Sequence, residues 1–389
     1  VALGSLAASR GDASVADGQA RPAGRARARD LGIVCGELPP GPLNAITDVP
    51  GVRVGHTTIV KGEGPLVEGK GPARTGVTAI LPHSGNLARE AVPAAIYNHN
   101  GNGEVTGYLQ VREAGWLASP IMLTGTFNVG RVYDFTLQYL LGRDADLGLS
   151  HPCPVPIVAE TSDATLNDML GRLIAYEDVV RAIDGAADGP VQEGAVGGGT
   201  GMVAYGFKAG IGTASRRLRP EQGGWTVGVL VQANHGGRGL LRIDGVPVGR
   251  EITDLRPGAA PASKSIIIVV ATDAPLLPNH LFRIAKRTSM GLARTGSISA
   301  HASGDIFLAF STAARISPVD GAHLRPARAI ADGFISSLYQ PVVEATEEAI
   351  VNSITMADTM KGKNDYVVHA IPLDRLVDVM KRYGRLRTM

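Results

Sequence analysis

Ser265 stands at an abrupt boundary. The stretch Asp254 to Lys264 (DLRPGAAPASK) is rich in Pro, Ala and Ser and cannot be the interior of a strand, whereas Ser265 opens Ser-Ile-Ile-Ile-Val-Val, the composition of a core strand. A chain break there would leave a new terminus held rigidly beside a pocket. If the Lys264–Ser265 bond breaks, one residue carries both a hydroxyl and a free α-amine, and the amine can serve as general base for its own Oγ. Such an amine has an ordinary pKa of about 7.7–8.0, so a substantial neutral fraction exists near neutrality. Taken alone, Ser265 reads first as an ordinary serine at a strand edge.

Three further positions carry groups such a nucleophile could use. Ser303 and Asp305 precede the apolar run Ile306 to Phe310; if the strand begins by Ser303, both side chains point to one face and could hold and orient an amine. Their plainer reading is a turn leading into a strand. Asn234 ends the run Trp225 to Asn234, where its carboxamide could donate to a developing oxyanion or simply serve a turn. Glu160 closes the run Val155 to Ala159 and precedes Thr161-Ser162-Asp163, which reads as the start of a helix. Its role is then either a first-turn charge or a carboxylate that binds a cationic amine.

Other chemistries find less support. The cluster Gly194 to Gly201 (GAVGGGTG) lacks a Gly-Lys-Ser/Thr ending, Lys208 lies seven residues beyond it, and no G-x-G-x-x-G falls within it. Glycines that let backbone approach core or pocket closely explain it better than a nucleotide site. The nine histidines, His99, His235 and His301 among them, form no HExxH pair, and no G-x-S-x-G elbow occurs. Cys35 and Cys153 are too few for a disulfide framework or a four-ligand zinc site.

A net charge of +2 from 38 basic and 36 acidic residues gives no global field favouring nucleic acid or an anionic membrane. The local exception, Arg21 to Arg29, has no interleaved aromatics and reads as a solvated, mobile segment. No apolar run is long enough for a transmembrane helix. Val1 to Ser9 (VALGSLAAS) reads like the end of an export segment, which makes periplasmic residence the expectation and a cytoplasmic place the alternative.

The elements that must position these residues are short strands between glycine- and proline-rich turns, with helices interspersed. Aliphatic runs predict five buried strands, at Val77 to Leu81, Val155 to Ala159, Val227 to Val231, Ile266 to Val270 and Ile306 to Phe310. Helical spacing appears at Thr165 to Tyr176, Leu281 to Leu292, Val342 to Met356 and Leu373 to Tyr383, with Pro278 and Pro341 at plausible starts.

Taken together, these stretches resemble the DmpA/BapA-type family, the L-aminopeptidase/D-Ala-esterases and β-peptidyl aminopeptidases, with nylon-oligomer hydrolases as more distant relatives. The resemblance runs from about Arg29 (ARDLG, LNAITDVPGVRVGHTT, GKGPARTGVTAI) through VPIVAETSD, VGGGTGMVAYGFKAGIGTASR, TVGVLVQANHG, SIIIVVATDAPLLPNHL and SGDIFLAFST to ATEEAIVN. It implies self-cleavage before Ser265, which becomes the nucleophile. It also implies a pocket Asn at Asn234, a second serine and its acidic partner at Ser303 and Asp305, and a substrate-amine carboxylate at Glu160.

The implied fold is an α/β four-layer αββα sandwich. A flexible segment 1–28 would precede one catalytic domain, 29–389, cut into 29–264 and 265–389 that stay interlocked. The implied activity is removal of β-amino acids such as β-alanine, and of small L-amino acids, from short peptides and amides with a free N-terminal amine. The family forms tetramers of such pairs and needs no metal or organic cofactor. This chain departs from the family in having Lys264, rather than Gly or Asn, before the nucleophile, and Asp305 resembles the branch that lacks Glu there. Two rivals remain: a non-catalytic binding protein, which would stay intact, and an amidase for synthetic oligomers, which would share every catalytic residue.

Overall fold

The computed structural model describes residues 24–258, 264–319 and 327–387. Ten strands make two sheets. In chain order they are β1 (Arg53–Lys61), β2 (Ala73–Leu81), β3 (Val92–Gly101), β4 (Trp116–Leu117), β5 (Ile121–Gly125), β6 (Ile157–Thr161), β7 (Ile211–Arg217), β8 (Thr226–Asn234), β9 (Lys264–Thr272) and β10 (Ser303–Ser311). One sheet has the order β1-β2-β5-β6 and the other β4-β3-β10-β9-β8-β7. The pairs β5/β6 and β9/β10 are parallel; the other ladders are antiparallel.

Side-chain alternation along each strand decides how the sheets stack. In β9, Ile267, Val269 and Ala271 join a core shared with Val54, Ile80, Leu123 and Ile157 of the other sheet, while Ile266, Ile268 and Val270 point the opposite way. That second face is covered by α3 (Pro278–Arg294) and α4 (Tyr339–Thr355). The outer face of the four-stranded sheet packs on α1 (Val129–Arg143) and α2 (Tyr176–Asp184). The result is the expected α/β sandwich of four layers, αββα. A strand buried on both faces must be apolar at every position, which is why the aliphatic runs were readable. All five predicted strands are present, each with shifted or extended ends.

The helices agree less evenly. Pro278 opens α3, whose Leu281, Ile284, Ala285, Thr288 and Leu292 form its buried stripe. Pro341 lies in the first turn of α4, and a last helix spans Leu373–Arg382. The predicted helix Thr165 to Tyr176 is absent: only a 3₁₀ turn, Met169–Gly171, forms there, Arg172 takes a left-handed conformation, and α2 begins at Tyr176. No helix follows Glu160 either; the strand continues through Thr161.

The arginine segment also corrects its reading. Arg21 lies outside the described residues, but Arg25 donates to the carbonyls of Ile371 and Ile354, and Arg27 to those of Leu43, Asn44 and Thr213. Arg27 also pairs with Glu193 at 2.7 Å, and Arg29 with Glu348 at 2.9 Å. Glu348 sits on α4 with the fully buried Arg216 of β7, 2.7 Å away. Arg25, Arg27 and Arg29 are therefore fastened to α4, β7 and neighbouring loops.

Candidate active site

Three strand ends meet at Ser265. Across β8, Ser265 is the register partner of Asn234; across β10, Lys264, Ser265 and Ile266 pair with Ser303, Gly304 and Asp305. Ser265 is buried, and its Oγ accepts the Gly304 N–H at 3.2 Å. By alternation Ser265 faces the space between the sheets, as do Leu230 and, two positions further each time, Gln232 and Asn234. The hydroxyl and the carboxamide thus share one face.

Ser303 and Asp305 form the anticipated same-face pair, Ser303 Oγ donating to Asp305 Oδ1 at 2.6 Å. Their parity is that of Phe307 and Ala309, on the helix side of the sheet, so they approach the backbone of β9 and not the Ser265 hydroxyl. Asp305 is fully buried. Burial pushes its carboxyl above the usual range, against the opposing effect of hydrogen bonds from Ser303, Ser299 and the Ile266 amide.

Asn234 is oriented by its surroundings. Its Oδ1 accepts the Val203 N–H and its Nδ2 donates to the Ser162 carbonyl, both at 2.9 Å. Val203 belongs to a hairpin, Val203–Ala204 with Phe207–Lys208, whose turn residues Tyr205 and Gly206 both have positive φ. Lys208 is fully buried, and its Nζ donates to the carbonyls of Met202 at 2.8 Å and Ala209 at 2.5 Å. The Met202–Val203 peptide is therefore gripped by Lys208 at its oxygen and by Asn234 at its nitrogen. Sequence reasoning weighed Lys208 only as a failed phosphate-loop lysine. A lone Lys between Phe207 and Ala209 in an apolar, glycine-rich stretch was the available signal.

Glu160 comes from the other sheet and is buried. Its carboxylate accepts from the Thr126 hydroxyl and from the Glu104 N–H at 3.1 Å, two partners that sequence reasoning missed because both lie outside its own segment. Burial pushes this carboxyl up, and the two hydrogen bonds hold it partly down. The loop after β3 bridges Glu160 and the start of β10: a Cβ on Gly103 would stand 3.2 Å from both Glu160 Oε1 and Gly304 Cα. All five residues singled out in the sequence, Glu160, Asn234, Ser265, Ser303 and Asp305, thus gather at one end of the sandwich, and Lys264 opens β9 beside them.

The glycine cluster does what close approach requires. A Cβ on Gly198 would lie 2.1 Å from Gln232 Oε1 and 2.6 Å from the Leu123 carbonyl, so this turn threads between the two sheets. It packs against core groups, and the glycine beside Glu160 is Gly103.

A serine at the start of a central strand of an αββα sandwich, with a carboxamide and a buried acid alongside, defines a candidate hydrolase whose nucleophile sits at a strand end. Residues 44–368 match the model of peptidase family S58. The β-peptidyl aminopeptidase BapA of Sphingosinicella xenopeptidilytica is 46% identical over 369 residues, 91% of each chain. The crystal structure of the PH0078 protein of Pyrococcus horikoshii aligns with a TM-score of 0.88 and 46% identity, covering 92% of this chain and 100% of that one. The L-aminopeptidase D-Ala-esterase/amidase of Ochrobactrum anthropi, described as a prototype of the serine aminopeptidases and a variant of the Ntn hydrolase fold, aligns at 0.87 and 42% identity over 93% and 99%. The chain belongs to peptidase family S58.

Proposed function

We propose that this peptidase is a self-processing serine aminopeptidase that releases N-terminal β-amino acids and small L-amino acids from short peptides and amides. The observation that carries the reading is the register that sets Asn234 and Gly304 on either side of Ser265, with the Ser303–Asp305 pair one strand away. The similarity to BapA and to the Ochrobactrum enzyme supports the substrate class.

In self-cleavage, Ser265 Oγ attacks the Lys264 carbonyl carbon and the C–N bond breaks. The Oγ proton passes to the departing nitrogen, leaving an ester between Lys264 and Ser265. Water hydrolyses that ester, freeing the Lys264 carboxylate and the Ser265 amine. In turnover, the amine takes the Oγ proton as Oγ attacks the first carbonyl of the substrate and Asn234 donates to the oxyanion. The intermediate then collapses, the C–N bond breaks, the ammonium returns the proton to the departing nitrogen, and an acyl-Ser265 ester remains. Water then releases the amino acid. Ser303 and Asp305 orient the amine, and Glu160 pairs with the substrate's ammonium. Every group in this scheme belongs to the chain or to water. We further propose, on the family resemblance, that the processed pairs form a homotetramer, which light scattering tests, and, on the composition of Val1 to Ser9, that they reside in the periplasm, which fractionation tests.

The anchor gives the clearest kinetic test. A charge-assisted hydrogen bond is worth about 1.5–3 kcal/mol, so N-acetyl-β-alanyl p-nitroanilide should be cleaved at least about tenfold more slowly than β-alanyl p-nitroanilide. Equal rates on the two, or an unchanged preference in Glu160→Gln, would rule the anchor out.

A further inference from the structure

A substrate held by its ammonium at Glu160 must present its carbonyl carbon to Ser265 Oγ. The length of the first residue is therefore measured between these two points. An α-amino acid puts one carbon between nitrogen and carbonyl and a β-amino acid puts two, so the additional methylene needs room along the same path. Resting on the amine-anchor reading above, we propose that Gly103 is a specificity-determining residue, whose missing side chain leaves room for that methylene.

The two ends of the path are fixed. Both Glu160 oxygens are held, by Thr126 and by the Glu104 N–H, so the carboxylate has little freedom to step aside. Gly304 is locked to the nucleophile by its register with Ser265 and by its N–H on Oγ. Gly103 is the residue that touches both ends. A Cβ there would meet Glu160 Oε1 and Gly304 Cα at 3.2 Å each, closer than ordinary van der Waals contact. Gly103 is also exposed, so the position is open to solvent.

Backbone conformation does not explain this glycine. Gly103 is not among the positive-φ residues, so alanine suits its backbone. Gly304 is different: a Cβ there would strike the Asn102 carbonyl oxygen at 2.6 Å and Gly103 Cα at 2.8 Å, so packing of the loop on the strand accounts for it. At Gly103 the crowding atoms are the anchor carboxylate and the backbone of the residue paired with Ser265, which sets its bare Cα between the two.

The test is Gly103→Ala, assayed with β-alanyl and L-alanyl p-nitroanilides per cleaved chain. Adding one methyl to a filled space should lower the β/α ratio of kcat/KM about tenfold, with cleavage before Ser265 still complete. An unchanged ratio, through equal loss on both substrates or no loss on either, overturns the inference. Glu160→Gln separates the two layers: if it spares both substrates the anchor reading fails, whereas if it loses both while Gly103→Ala leaves the ratio alone, only the role of Gly103 fails. Should the alanine variant not fold, a crystal structure of the unsubstituted protein with β-alanine decides. A methylene in van der Waals contact with Gly103 is expected, and a path away from it overturns the proposal.

Discussion

The carboxyls of Glu160 and Asp305 are both pushed up by burial, and the consequences differ because their partners differ. In the proposed anchor Glu160 must be ionised to pair with an ammonium, so substrate binding should be lost as pH falls through its raised pKa. The Thr126 hydroxyl stabilises the ionised form. Thr126→Val should therefore raise this pKa further and move the acid limb of kcat/KM to higher pH, while Thr126→Ser should restore it; an acid limb that stays in place would leave Thr126 a packing residue. Asp305 sits on the nucleophile side. Asp305→Asn should lower kcat more than it raises KM in correctly cleaved protein, and an unchanged kcat would return Asp305 to a turn role.

The site owes its geometry to how elements end. The ends of β6, β8 and β9 deliver Glu160, Asn234 and Ser265, the start of β10 delivers Ser303 and Asp305, and a hairpin steadies Asn234 through Val203 and Lys208. Burial pushes that ammonium down to about 7, and two N–H donors, available in either protonation state, suffice for its two carbonyl contacts. Lys208→Met should loosen the Met202–Val203 peptide and with it Asn234. A fully removed oxyanion donor costs about 10²–10³ in kcat, so a loosened one should cost about tenfold with little change in KM. Steady-state kinetics on cleaved protein checks this, and an unchanged kcat would show that Asn234 is held in place without Lys208.

At this scale the sequence was most legible where strands are buried on both faces, because every position in Ile266 to Val270 must then be apolar. The chemistry-bearing positions followed, since each lies at the end of such a run. The mistaken helix at Thr165 to Tyr176 had apolar residues at helical spacing, Leu166, Met169, Leu170 and Leu173. Asp168 instead bonds the Leu170 N–H, and Arg172 closes the turn in the left-handed region. A local side-chain cap and a left-handed residue outweighed periodicity.

Across the whole molecule, what escaped the sequence was long-range pairing. Arg27 and Arg29 read as solvated because their neighbours are Ala, Pro and Gly; nothing local reveals Glu193 or Glu348. Arg29 and Arg216 both converge on Glu348, and Arg216 and Glu348 are fully buried. Removing one member of a buried pair leaves the other charge uncompensated. Glu348→Ala should thus cost about 3–5 kcal/mol, read as a lowered denaturation midpoint, and a loss below about 1 kcal/mol would mean that Glu344 takes over the partnership. This network ties residues that precede the cleavage position, Arg29 and Arg216, to α4, which follows it. It is part of what would keep the two fragments together after a break at Lys264–Ser265.

That break is the central claim, and intact mass of the purified protein under denaturing conditions tests it most directly. The account predicts two fragments, the smaller beginning Ser-Ile-Ile-Ile, and a single inactive chain for Ser265→Ala. A fully active protein that runs as one uncleaved chain would contradict it.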